Sequence, residues 1–224
     1  MSSAEKRKVH YDNSKLLPSY KPQSLSKHKP ILGSARYHDN LIPIFNPNAG
    51  NSGVDPEFWG TMLCASQDKI QYVWITEHQL LKGVYYRGND NKVYLLPPKE
   101  KWTVLGVGNV SQCRIPKGEL KAIPSVPHLN VMGPQVGNGF SSLYIGLNPL
   151  TMQREFCDTP YSWSGKAEDD VIHSASTANF SCGSFLYDSE LDAAIAAHHG
   201  TIGPDSKLGE NNLCSPLKAM GPRQ

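Results

Sequence analysis

The chain has 224 residues, with 22 Lys and Arg against 20 Asp and Glu, five Cys and 39% hydrophobic residues. That length allows one large domain or two small ones with a real core. Only 19% of residues are charged, while 19 Gly and 17 Pro favour many short strands and turns over long helices.

No apolar run reaches the roughly 18 residues of a membrane-spanning helix. The basic N-terminus lacks the apolar stretch of a secretory signal, so exposure to the cytosol is expected. None of the Cys residues pair as C-x-x-C, and no His, Cys, Asp or Glu cluster has metal-ligand spacing. Neither a metal nor a cofactor is expected.

Charge is uneven along the chain. Residues 1–36 hold eight Lys or Arg and two acids, a balance of +6 that leaves −4 for the remainder. This segment is rich in Ser, Lys and Pro and has no hydrophobic period, so residues 1–40 read as a disordered basic arm. Such an arm is a solvated tail or a phosphate-binding contact for RNA.

From Leu41 onward the pattern becomes strand-like. Thr61–Ala65 and Ile70–Ile75 are β-rich runs joined by the polar turn Ser66-Gln67-Asp68-Lys69, which predicts a hairpin. Further strands are expected at Gly83–Arg87, Lys92–Leu96, Trp102–Val107 and Val110–Ile115, with only a short helical turn at Glu77–Lys82. Pro116, Pro124 and Pro127 mark a linker. After it come Ser142–Ile145, Thr151–Phe156, Val171–Ser174, Phe185–Tyr187 and Ala193–Ala197, while Gly137-Asn138-Gly139 reads as a hairpin turn. The expected fold is all-β. It comprises an arm (1–40), a first antiparallel barrel (41–120), and a second barrel with a tail (121–224).

Two local features bear on chemistry. In Asn179-Phe180-Ser181-Cys182-Gly183-Ser184-Phe185, a thiol sits on a turn before Gly and an apolar strand. A nucleophile on a tight turn needs small neighbours so that backbone N–H groups can converge on an oxyanion. A Cys in such a segment is also commonly a small core hydrophobe. In Val73-Trp74-Ile75-Thr76-Glu77-His78-Gln79, a His follows a hydrophobic strand at the place where a general base for a thiol would stand. A partly exposed polar residue would stand there too. Of the remaining thiols, Cys64 and Cys113 fall in apolar runs and read as core, while Cys157 and Cys214 read as loop thiols.

Together, in this order and separation, the two features resemble the chymotrypsin-like proteases of positive-strand RNA viruses. Val73–Leu81 is similar to the strand and turn carrying the family's catalytic His. Ser174-Ala175-Ser176-Thr177 followed by Cys182-Gly183-Ser184 is similar to the nucleophile loop of the sobemovirus type, with Cys replacing Ser as in the picornavirus-type branch. The resemblance covers about residues 55–205. It implies two antiparallel chymotrypsin-like barrels and a cysteine endopeptidase that processes a polyprotein in the host cytoplasm. His78 is then the base, Cys182 the nucleophile, and the backbone N–H groups of Ser181 and Cys182 the oxyanion donors.

The family's His-orienting acid aligns with Asn109, whose amide carbonyl can still accept the His N–H; Asp90 and Glu100 are the alternatives. Phe180 stands where the family has Gly, at a backbone position that favours positive φ. Thr177, five residues before Cys182, and His198, sixteen after it, match the pair that reads Gln or Glu before the scissile bond. The implied partner is a polypeptide. The competing expectations are a protease homologue without activity and a non-enzymatic RNA-binding or capsid-like β-module.

Overall fold

The structure, a computed structural model, describes residues 28–106, 111–202 and 211–217. The first 27 residues of the expected arm and Asn109 therefore lie outside the described residues. The strands of the first half are Ile31–Leu32 (β1), Leu41–Phe45 (β2), Phe58–Gln67 (β3), Ile70–Thr76 (β4), Tyr85–Arg87 (β5), Val93–Leu95 (β6), Thr103–Leu105 (β7) and Gln112–Pro116 (β8). The second half adds Asn130–Val131 (β9), Gly137–Gly139 (β10), Ser142–Leu147 (β11), Arg154–Asp158 (β12), Tyr161–Trp163 (β13), Val171–His173 (β14), Phe185–Asp188 (β15), Ala193–Ile202 (β16) and Asn211–Pro216 (β17). Among the described residues the only helical pieces are short 3-10 turns, and no helix is long and apolar enough to cross a membrane.

Pairing sorts these strands into two antiparallel groups within one curled sheet. The first runs β6-β5-β2-β3-β4-β8-β7. The second runs β1-β12-β11-β15-β16-β17-β14-β13-β10. β9 joins them by pairing in parallel with β16 and, at Ser66, with β3. The hairpin expected between β3 and β4 is present. Asp68 and Lys69 have φ of 51° and 68°, the double positive φ of a two-residue turn whose twist matches the strands.

Strand alternation explains the packing. On β3, Met62 and Cys64 point into the first group's core with Ile44, Val73, Ile75, Tyr86 and Ile115. The intervening Leu63 and Ala65 face the other way, against Phe185, Ala194, Ala197 and Leu129, and form the layer between the groups. On β16 a register shift opposite Leu186 and Tyr187 interrupts the alternation, so adjacent Ile195 and Ala196 both enter the second group's core with Tyr144, Leu186 and Val171, while Ala194 and Ala197 join the layer between the groups. β3 and β16 are thus apolar on both faces because both faces are covered.

Three expectations are corrected. The ordered chain begins before residue 41. β1 pairs with β12, and buried Asn40 donates its side-chain N–H to the carbonyls of Cys64 and Pro127 at 2.9 and 2.8 Å. Backbone pairing, the Asn40 amide, buried His38 and the Tyr37 ring in the core hold this segment, although its sequence shows no apolar period. Gly137–Gly139 is a strand rather than a turn, because β13 supplies it with a partner. Cys157 and Cys214, expected in loops, lie on strands: Cys157 half-buried on β12, and Cys214 buried on β17, which is flanked by β14 and β16.

Candidate active site

His78 lies on the 3-10 turn Glu77–Gln79 that ends β4. The turn is pinned from several sides. The Glu77 N–H donates to the Ser111 carbonyl at 2.6 Å, the Glu77 carboxylate pairs with Lys99, and Gln112 donates to the Thr76 hydroxyl at 3.3 Å. Gln79 does most to connect the site. Its Oε1 accepts the Thr76 N–H at 3.2 Å, closing the turn as a capping box does. Its Nε2 donates to the Cys182 carbonyl at 2.9 Å. The Thr61 N–H on β3 donates to the same carbonyl at 3.0 Å. The His78 turn and the Cys182 loop are therefore clasped through a fully paired buried carbonyl. Sequence reasoning passed over Gln79, although Thr76-x-x-Gln79 is itself a capping-box signature.

The loop around Cys182 is tightly wound. Ser181 N–H donates to the Ala178 carbonyl, Ala178 N–H to the Ser181 hydroxyl, and Gly183 N–H to the His198 carbonyl, at 3.1, 3.1 and 3.0 Å. Gly183 has φ of 91°, and a Cβ there would collide with the Thr61 carbonyl, so only Gly permits this approach. Phe180 adopts φ of 71°, the left-handed conformation for which the resemblance leads one to expect Gly. Its ring is held against Trp59 at 5.9 Å, and this packing offsets the strained backbone.

Cys182 is only 4% exposed, and its S–H points to the His199 carbonyl at 3.8 Å. Burial pushes its thiol up to about 12, with its own backbone N–H pulling the other way. The resting side chain is a neutral thiol. Of the two expected oxyanion donors, the Ser181 N–H is already spent on Ala178.

Of the alternatives to Asn109, Asp90 accepts the Tyr94 hydroxyl at 2.6 Å and the Lys92 N–H at 3.1 Å in the β5–β6 turn; these bonds hold its carboxyl below the usual range. Glu100 is exposed on the turn Lys99–Lys101.

The expected specificity residues converge on β17. Thr177 donates its hydroxyl to Asn212 Oδ1 at 2.5 Å, and His198 lies opposite Cys214. Asn212 and Cys214 are two apart on one strand and share a face. His198 and His199 are both fully buried, although neighbours on a regular strand face opposite sides. A register shift between His198 and Gly200 sets His199 apart from the ladder, where its Nε2 bonds Asp170 Oδ1 at 2.8 Å with both side chains 0% exposed.

His173, not singled out from the sequence, completes the cluster. Its Nε2 lies 3.4 Å from His198 Nδ1, its Nδ1 accepts the Ala175 N–H at 3.2 Å, and the Tyr144 ring stacks on it at 5.7 Å and 23°. Burial lowers its pKa to about 3.

The ligand atoms of His173, His198 and Cys214 lie within 4.8 Å of one another, which makes them the candidate metal ligands of the described residues. The backbone beside His173 does not suit a metal. A metal on His173 Nε2 needs a proton on Nδ1, and that proton would face the Ala175 N–H.

No protein-family model matches the sequence, and no curated protein does. Solved structures do match. Catalytically active tobacco etch virus protease complexed with product superposes with a TM-score of 0.52 at 13% identity, over 85% of this chain and 80% of that one. The serine protease domain of the Sesbania mosaic virus polyprotein gives 0.52 at 12% identity, over 84% and 93%. The HtrA-type protease AlgW with decapeptide gives 0.50 at 14% identity, over 82% and 62%. The shared property is the chymotrypsin-like protease fold.

Proposed function

We propose that the chain is a cysteine endopeptidase that cleaves a viral polyprotein after Gln or Glu, with Cys182 as nucleophile and His78 as base. The observation that carries this reading is the clasp on the Cys182 carbonyl: Gln79 and Thr61 draw the thiol's loop against the turn that bears His78. A chain that used Cys182 only as a core hydrophobe would need neither a strained Phe180 nor a Gly183 pressed on Thr61.

In the reaction, His78 takes the Cys182 proton and the thiolate attacks the scissile carbonyl. The oxyanion draws the Cys182 N–H and, once it leaves Ala178, the Ser181 N–H. His78 then protonates the leaving amine, and water releases the acyl group from sulfur. Thr177 and His198 read the residue before the bond. Because Cys182 is 4% and His198 0% exposed, the walls must part for peptide to enter. Burial that holds the thiol near 12 makes substrate-coupled opening part of its activation.

The test uses a Gln-terminated peptide carrying a thiol-reactive electrophile. Labelling confined to Cys182 and abolished in His78→Ala supports the assignment. Equal labelling of several cysteines, independent of His78, refutes it.

A further inference from the structure

We infer that His173 is a positioning residue for specificity: through a relay beginning at the Ala175 backbone N–H, it fixes the proton of His198 on Nε2. The inference rests on the peptidase reading above, in which His198 meets the substrate side chain.

The argument is one of donors and acceptors. A neutral imidazole has one N–H and one lone pair. The Ala175 N–H can only donate, and it reaches His173 Nδ1 at 3.2 Å, so that nitrogen must present its lone pair. The single proton of His173 therefore sits on Nε2. From there it faces His198 Nδ1 at 3.4 Å, making that atom the acceptor. The one proton of neutral His198 is then on Nε2, at the far side of the ring. The backbone thus dictates the tautomer of a residue 23 positions away in sequence, through one intervening ring.

The surroundings keep the His173 ring neutral and both rings in place. Tyr144 on β11 stacks on His173, and the His173 and His198 rings meet edge to face at 5.6 Å and 71°. A second proton on His173 would have to sit on Nδ1, against the Ala175 N–H, and burial already holds that imidazole neutral down to about pH 3. Cys214 on β17 offers no charge to draw a proton, because burial holds its thiol well above the ordinary value. Asp170, the nearby carboxylate, is engaged by His199.

The consequence is chemical selectivity. A fixed Nε2–H is a donor, so it binds a side-chain oxygen, the feature shared by Gln and Glu. A side chain that offers only N–H, such as Lys or Arg, meets donor against donor. Without the relay, His198 is free to place its proton on either nitrogen, and the site loses a built-in preference of the kind that lets polar pockets reject mismatched side chains.

The experiment is long-range proton–nitrogen NMR of the full chain with nitrogen-15 histidine, alongside cleavage of peptides varied at the residue before the bond. Wild type is expected to show both His173 and His198 protonated on Nε2 only, unchanged from pH 5 to 8. His173→Phe is expected to shift His198 to mixed tautomers and to lower kcat/KM for a Gln peptide by about tenfold. His173→Gln, whose amide N–H can stand in for the lost donor, is expected to restore both. Should His173→Phe fail to fold, as a melting curve would show, the wild-type spectrum and His173→Gln still decide.

A wild-type His198 protonated on Nδ1, or a His198 signature unmoved in folded His173→Phe, overturns the relay. So does micromolar zinc uptake that removes the His173 and His198 N–H signals. The expected tautomers in a wild type that cleaves no peptide would sink the peptidase reading and leave the relay standing.

Discussion

The two strand groups bury different kinds of side chain. The interior of the first is Ile42, Ile44, Met62, Val73, Ile75, Tyr86 and Trp102 with the thiols of Cys64 and Cys113, and the polar side chains buried beside it, Thr76, Gln79 and Gln112, carry no charge. Burial pushes those two thiols up to about 11 and about 12, so they behave as small hydrophobes. The second group buries His173, His198, His199, Asp170, Thr177 and Asn212, each no more than 4% exposed. Buried polar groups are tolerated only where hydrogen bonds match them. The first group is thus a scaffold that holds one turn in place, and the second carries a recognition network whose stability depends on its pairing.

The largest expected effect comes from breaking that network. Asp170→Ala removes the partner of fully buried His199 and should cost about 3–5 kcal/mol, the usual penalty for orphaning half of a buried pair. Ile44→Val in the first core should cost only about 1 kcal/mol. Thermal melts of the two variants give the contrast directly. Equal losses would mean that the two interiors do not differ in kind.

Next is Phe180. Phe→Ala removes a buried ring and should destabilise by about 3 kcal/mol. Phe180→Gly removes the same ring but relieves φ of 71°, so it should be the more stable of the two by about 1 kcal/mol. That reverses the ordinary Ala-over-Gly order, and denaturant unfolding of both variants measures it.

A smaller effect, read from pH, probes two buried groups of the second strand group. His173 has its pKa lowered by burial from 6.5 to about 3, so the unfolded chain gains a proton below 6.5 that the folded chain refuses. Its contribution to stability is present above pH 6.5 and is lost as pH falls toward 3. Cys182 is raised by burial from 9.0 to about 12, so its contribution is present below pH 9 and lost as pH rises toward 12. Measured as differences from wild type, His173→Phe should flatten the acid limb of melting temperature against pH, and Cys182→Ala the alkaline limb.

What the sequence displayed and what it hid follow from the same division. Thr61–Ala65 and Ile70–Ile75 were legible because apolar β-formers surround a polar turn, and both fall inside β3 and β4. The strand Asn211–Pro216 was not, since Asn-Asn-Leu-Cys-Ser-Pro has no apolar alternation; β14 and β16 order it from either side. Motif spacing singled out His78, Thr177, Cys182 and His198. It could not single out His173, whose meeting with His198 and Cys214 comes from three strands far apart in sequence. Gln79 carried a local signal that a search for nucleophiles and bases does not weigh.

The central claim, a thiol peptidase working through Cys182 with a preference for Gln or Glu, is tested most directly by mass spectrometry of a denatured-protein peptide library after incubation with the full chain. New termini following Gln or Glu, absent with Cys182→Ala, are the predicted result. No new termini, cleavage that survives Cys182→Ala, or cleavage after basic or large aromatic residues would contradict it.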